Sequence, residues 1–239
     1  MRPATRHPRG SRTLLATSLA TIVATTALIA VPAASIAANL VTLGVVRSNP
    51  APSCPSDPCQ AVGHVTGFQV SAGTVAHHRK NIFVVPANGQ IIKWSIRLSK
   101  PNAKQLAFFN SFYGGPPKAA LGILRRTSKT APRFKLMRQS GLEDLTDYMG
   151  VGEQTFVLEA PLSVKKGDIV ALTIPTWAPA FAVNQTAVNT WRASRPSTKC
   201  NGRANIRNGS AHGTVGKTRT YGCLYKGARI LYTAGFSPS

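Results

Sequence analysis

Residues 90–98 read Gln-Ile-Ile-Lys-Trp-Ser-Ile-Arg-Leu, and within them Ile92, Trp94, Ile96 and Leu98 alternate with Ile91, Lys93, Ser95 and Arg97. A period of two sends these sets to opposite faces of an extended chain, so the segment predicts a half-buried strand with an apolar inner face and a mainly polar outer one. The same reading extends in both directions. Short apolar segments at 65–70, 81–85, 119–124, 134–139, 154–159 and 168–174 are divided by Gly, Pro, Asn and Lys-Gly. In the last of them Val170, Leu172 and Ile174 share one face while Ile169 and Ala171 hold the other. Two apolar faces predict a central strand, covered on both sides. Near the end, 219–225 and 228–233 flank Lys226-Gly227, a hairpin turn because Gly tolerates positive φ. One helix is expected over 103–112, with Leu106 and Phe109 three residues apart and Gly114-Gly115 to end it. Evenly spaced short strands with turn punctuation point to an all-β chain, an antiparallel sandwich or barrel, with at most one or two short helices.

Residues 1–38 are read apart from this fold. Arg2, Arg6, Arg9 and Arg12 precede an apolar run over 14–31, and Ser35-Ile-Ala-Ala38 closes it with small residues. That order is a secretory signal peptide, and a cut after Ala37 places Ser35 and Ala37 at the two small-residue positions. A retained anchor is the competing reading, disfavoured by Thr17, Ser18, Thr21, Thr25 and Thr26 within the run. After cleavage no membrane span is expected. Residues 39–61, with Pro50, Pro52, Pro55 and Pro58, read as a lead-in without periodicity, and 62–239 as one β-sandwich domain.

Export changes the meaning of Cys54, Cys59, Cys200 and Cys223. An even set in an oxidising compartment reads as disulfides rather than zinc ligands. Of the three possible pairings we favour Cys54 with Cys59, closing a Pro-rich loop, and Cys200 with Cys223, tying a long loop to a late strand. The chain carries 29 Lys and Arg, four of them in the first twelve residues, so 25 face all seven Asp and Glu from Asn39 onward, a net charge near +18. Such a surface attracts extracellular polyanions. The cations are spread along the chain, at Arg79-Lys80, Arg125-Arg126 and Lys165-Lys166 among others, and no RNA-binding signature interleaves them with aromatics. A specific nucleic-acid role is therefore not expected.

Several stretches together carry a resemblance. These are Leu162-Ser-Val-Lys-Lys-Gly-Asp-Ile-Val-Ala-Leu-Thr173, Gly89-Gln-Ile-Ile-Lys-Trp-Ser-Ile-Arg97, Phe108-Phe-Asn-Ser-Phe-Tyr-Gly-Gly-Pro-Pro117, Ala119-Ala-Leu-Gly-Ile-Leu-Arg125 and Thr176-Trp-Ala-Pro-Ala-Phe181. Over roughly 62–236 the chain resembles a group of uncharacterised secreted bacterial β-sandwich proteins. The resemblance implies a jelly-roll-like sandwich and brings no catalytic residues with it.

Direct inspection offers little enzyme chemistry. Glycoside hydrolysis needs two carboxylates facing across the scissile bond, and Glu143, Asp144 and Asp147 crowd into one polar stretch. His77-His78 sit beside Arg79-Lys80, which repel a cation, and no Gly-x-Ser-x-Gly elbow occurs. No catalytic residue, metal or cofactor is assigned. The candidate ligand-binding residues are aromatic: Trp177, Phe181 and Trp191 between strands, and Tyr113 on another loop. Sugar C–H groups stack on such rings. The sequence thus predicts a secreted or cell-surface, noncatalytic binding protein whose ligand is a glycan or anionic wall polymer. A structural protein without small ligand and an unrecognised hydrolase are the alternatives, and oligomeric state is left open.

Overall fold

The computed structural model describes residues 40–239. The expected signal peptide lies outside the described residues. In chain order the strands begin with β1 (Val41–Leu43), β2 (Val62–Gly73), β3 (His78–Lys80) and β4 (Gly89–Leu98), followed by helix α1 (Ala103–Tyr113). Next come β5 (Lys118–Arg126), β6 (Arg133–Gln139), β7 (Glu143–Asp144), β8 (Gly152–Val164) and β9 (Ile169–Ala178). Then follow β10 (Phe181–Ala182), β11 (Thr190–Ala193), helix α2 (Arg203–Arg207), β12 (Thr218–Thr220), β13 (Cys223–Lys226), β14 (Arg229–Ile230) and β15 (Tyr232–Pro238). One large sheet has the order β1-β15-β4-β8 and a second β12-β6-β5-β9-β2-β11-β13, with β3 and β7 at its margins, and β10 pairs with β14 in a separate two-stranded sheet. Every strand pair is antiparallel. The chain crosses repeatedly between the two sheets, so the expected jelly-roll-like sandwich is the observed architecture.

The main core fills the space between the sheets, with Trp94, Ile91, Ile96, Leu121, Leu172, Ile174 and Phe236 almost fully buried. The central position expected for 168–174 is where β9 sits. Its Val170, Leu172 and Ile174 face that core, while Ala171 faces a second cluster of Phe68, Phe134, Leu136 and Tyr221 on the far side. Helix α1 forms as its ends dictate. Asn102 Oδ1 accepts from Gln105 N and Gln105 Oε1 accepts from Asn102 N, a reciprocal cap, and Gly114 at φ 73° closes the helix by donating to Asn110 O.

Four expectations are corrected. In β4 it is Ile91 that is buried, not Ile92, because the ladders to β15 and β8 both slip between Ile91 and Lys93 or opposite them, and a bulge there inverts the alternation. Residues 81–85 are no strand. Asn81 N donates to Val70 O, while Val85 N donates to Asp168 O and Val170 N to Phe83 O, one isolated antiparallel bridge of Val84 with Ile169 that no neighbouring pair extends into a ladder, and Phe83 stacks on Tyr232 at 4.0 Å. The segments 219–225 and 228–233 do not form a hairpin. Gly227 does turn at φ 74°, yet β13 pairs with β11, β14 with β10 and β15 with β4, so the turn carries the chain from one sheet to the other. Finally, the lead-in contributes β1, an edge strand on β15, and is more than a linker.

Both expected disulfides are present, Cys54–Cys59 and Cys200–Cys223. The Lys165–Asp168 turn is held by Asp168, which is buried, accepts from Lys165 N at 2.8 Å, and pairs in bidentate fashion with Arg125 at 2.7 and 2.8 Å. A buried polar cluster joins β2 to the C-terminal segment. His212 Nε2 lies 3.0 Å from Lys217 O and Nδ1 lies 3.1 Å from the Tyr221 hydroxyl, so Nε2–H donates to the carbonyl and Nδ1 accepts. Burial holds His212 below the usual imidazole value, with the nearby Arg219 charge acting in the same direction and the Lys217 carbonyl opposing. The unfolded chain therefore takes up this proton first as pH falls. His212 contributes fully above about pH 6.5, and its contribution is lost between that value and the lower native one. Urea midpoints measured from pH 7.5 down to 5 are expected to fall, and to fall less steeply in His212→Gln.

Candidate functional site

Three of the four aromatic residues expected to bind ligand meet in one place. Tyr113 at the end of α1, Phe181 of β10 and Trp191 of β11 line a cavity of about 400 Å3, joined by Tyr225, Arg195 and Ile206. That volume falls in the lower part of the range of small-molecule sites, roughly 300–1,000 Å3. Gln60, Asn184, Asn201 and Lys226 also border it, and all four are exposed. Trp191 stacks on Tyr225 with centroids 4.5 Å apart and meets Phe181 edge-on at 5.6 Å. The Tyr225 hydroxyl donates to Cys200 O, so the larger disulfide and the aromatic wall form one unit.

Trp177 does not join them. It is fully buried beneath α1, its Nε1–H donating to Asn110 Oδ1 and Gly115 O at 3.0 and 2.9 Å, its ring 4.9 Å from Phe109. It pins the helix to β9 and cannot meet a ligand. The other three rings are not open stacking faces either: Tyr113, Phe181 and Trp191 keep only 7, 8 and 4% of their surface. They form a recessed wall instead of the exposed platform expected.

Arg195 gives the cavity its chemistry, and nothing in its local sequence marks it. The side chain is 6% exposed, and its guanidinium donates to Gly63 O at 2.7 Å and, at longer range, to the Tyr225 hydroxyl at 3.3 Å and to His64 O at 3.5 Å. Among the described residues Nε has no partner, and neither has Trp191 Nε1 in the same wall. No carboxylate answers the charge. Among the described residues the salt bridge is that of Arg125 with Asp168. A signal was available in the sequence: no Asp or Glu occurs over 58–142 or 169–239, the two stretches from which every residue bordering the cavity comes. A buried Arg in this neighbourhood has no acid to pair with. Its positive field also favours the anionic form of Tyr113, but burial outweighs it and pushes that phenol up to about 12, so Tyr113 remains a neutral donor.

No protein-family model, no curated protein and no solved structure matches this chain.

Other recesses lack this combination. A cavity of about 570 Å3 bordered by Arg125, Arg138 and Lys165 has no aromatic ring, and its Arg125 is committed to Asp168. The second buried guanidinium, Arg229, donates to Ser48 O, and burial pushes it down to about 10. Its recess of about 190 Å3 contains Glu153. Of the acids of 143–147, Asp144 is occupied locally, accepting from Thr146 N and Oγ1 at 2.9 and 2.6 Å, bonds that hold its carboxyl below the usual range. His77 and His78 are exposed, and among the described residues no three His, Cys, Asp or Glu side chains converge as metal ligands.

Proposed function

We propose that this is a secreted, noncatalytic binding protein of the cell envelope or extracellular space, and that its ligand is a glycan bearing carboxylate or phosphate groups. Arg195 is the observation that carries the reading. A guanidinium removed from water without a counter-charge is costly, and an anionic ligand supplies the missing charge where water is already largely excluded. The rings around it favour the C–H faces of a sugar over a bare ion. The two disulfides fit an oxidising compartment, and no helix among the described residues is long and apolar enough to cross a membrane. Residues 169–239, with nine Lys and Arg and no acid, add a long-range field that attracts polyanions.

Retention on immobilised polygalacturonate, compared with neutral dextran, tests this. The wild type is expected to bind the acidic matrix and elute with salt. Asn201→Trp, a bulky change at an exposed position on the rim, is expected to weaken retention, with elution at lower salt and an unchanged melting temperature. Equal retention on both matrices, or undiminished retention of Asn201→Trp on the acidic one, would refute the pocket as the site.

A further inference from the structure

Helix α1 carries Phe108, Phe109, Phe112 and Tyr113, two pairs at a spacing of four. With 3.6 residues per turn these pairs occupy different faces. Phe109 and Tyr113 turn inward onto Trp177 and the cavity, whereas Phe108 keeps 46% of its surface exposed and Phe112 is half-buried. The Phe108 and Phe112 rings lie nearly parallel, 5.6 Å apart, and the Arg203 guanidinium of α2 sits 5.5 and 5.4 Å above them. Phe112 in turn meets Tyr113 edge-on at 4.8 Å, and Tyr113 with Ile206 lines the cavity. The rings thus run without interruption from cavity to helix surface.

Resting on the pocket reading above, we propose that Phe108, Phe112 and Arg203 form a second subsite, so that the protein binds an acidic glycan along several residues of its chain and not by one end alone. An Arg stacked over rings is held in place at little further entropic cost while its N–H edge stays free for a carboxylate or phosphate. Charge complementarity favours this occupant. α1, α2 and the cavity wall come from stretches without a single Asp or Glu, and Arg207 and Lys104 lie on the same two helices. Asp57 belongs to the small disulfide loop, which α1 touches where Gln105 Nε2 donates to Pro55 O at 2.9 Å. The i, i+4 spacing of two aromatic pairs was the signal that one of them faces outward.

Calorimetric titration with galacturonate oligomers of two, four and six units tests the proposal. Affinity is expected to rise about tenfold or more from the dimer to the hexamer, since linked subsites reinforce one another. In Phe108→Ser/Arg203→Ser, changed at exposed positions, that rise is expected to vanish while dimer affinity stays at the wild-type level. Lys166→Ser, which removes a charge from the β8–β9 turn, is expected to keep the full rise. Equal affinity at all lengths overturns the second subsite and leaves the pocket standing. A rise that Lys166→Ser reduces as much as the double variant does also overturns it, as a property of net charge alone. Absence of binding at every length removes the pocket reading and this inference together. Vesicles of phosphatidylglycerol and phosphatidylcholine form the control: Phe108-dependent vesicle binding without any length dependence overturns the proposal in favour of a lipid surface.

Discussion

Trp177→Ala is expected to lower the unfolding free energy by about 3–5 kcal/mol, the range for deleting a buried large aromatic side chain. Several losses converge at this site. The void opens between β9 and α1, Phe109 loses its neighbour at 4.9 Å, and Asn110 Oδ1 and Gly115 O lose the donor that holds the helix C-terminus. Urea unfolding followed by far-ultraviolet circular dichroism measures the effect. Because Trp177 does not line the cavity, ligand affinity of the fraction that remains folded is expected to stay near the wild-type value, apart from what passes through Tyr113. Trp177→Phe, which keeps most of the volume and loses the Nε1 donor, is expected to cost clearly less. A destabilisation below about 1 kcal/mol for Trp177→Ala would mean that the residue is not where the fold places it.

Removing the Cys200–Cys223 bridge by a double Ser substitution is expected to destabilise the protein by about 3.5 kcal/mol. A separation of 23 residues sets this value in the chain-entropy account of cross-links. For a domain of this size the loss corresponds to a melting temperature lower by about 10 °C. The Cys54–Cys59 ring spans only five residues, and its loss is expected to cost about 2 kcal/mol. The larger bridge has a second consequence. It fixes the 197–199 turn against β13, and through Cys200 O it holds the Tyr225 hydroxyl beside Arg195. Ligand affinity is therefore expected to fall in Cys200→Ser/Cys223→Ser even at a temperature where the variant is fully folded, and to be unaffected in Cys54→Ser/Cys59→Ser.

Much of the sandwich was legible because its rules are local. Alternation gave β5, β6, β8 and β9 to within a few residues, the two apolar faces of 168–174 placed that strand at the centre, and Gly114 marked the end of α1. What sequence could not supply was pairing. Ile92 has the right period for the core, but the bulge that exchanges it with Ile91 arises from partners 64 to 145 residues away, in β8 and β15. Residues 81–85 are as apolar as a strand, and only the positions of Val70, Asp168 and Val170 show that they plug the gap between sheets. Trp177 and Trp191 both read as lying between strands, yet one lies under a helix and the other in a cavity wall. Arg195 illustrates the opposite case: its unbalanced charge follows from a composition visible in the sequence, the absence of acids after Asp168, whereas its burial required the fold.

The site proposed for an acidic sugar is the cavity lined by Tyr113, Trp191 and Arg195. Three tryptophans give three indole N–H signals in a proton–nitrogen correlation spectrum, each assigned by its loss in the corresponding Phe variant. During titration with digalacturonate the Trp191 signal, whose Nε1–H has no partner among the described residues, is expected to move, while those of Trp94 and Trp177 stay in place. A Trp191 signal that remains fixed under conditions where the protein binds the ligand would contradict the account.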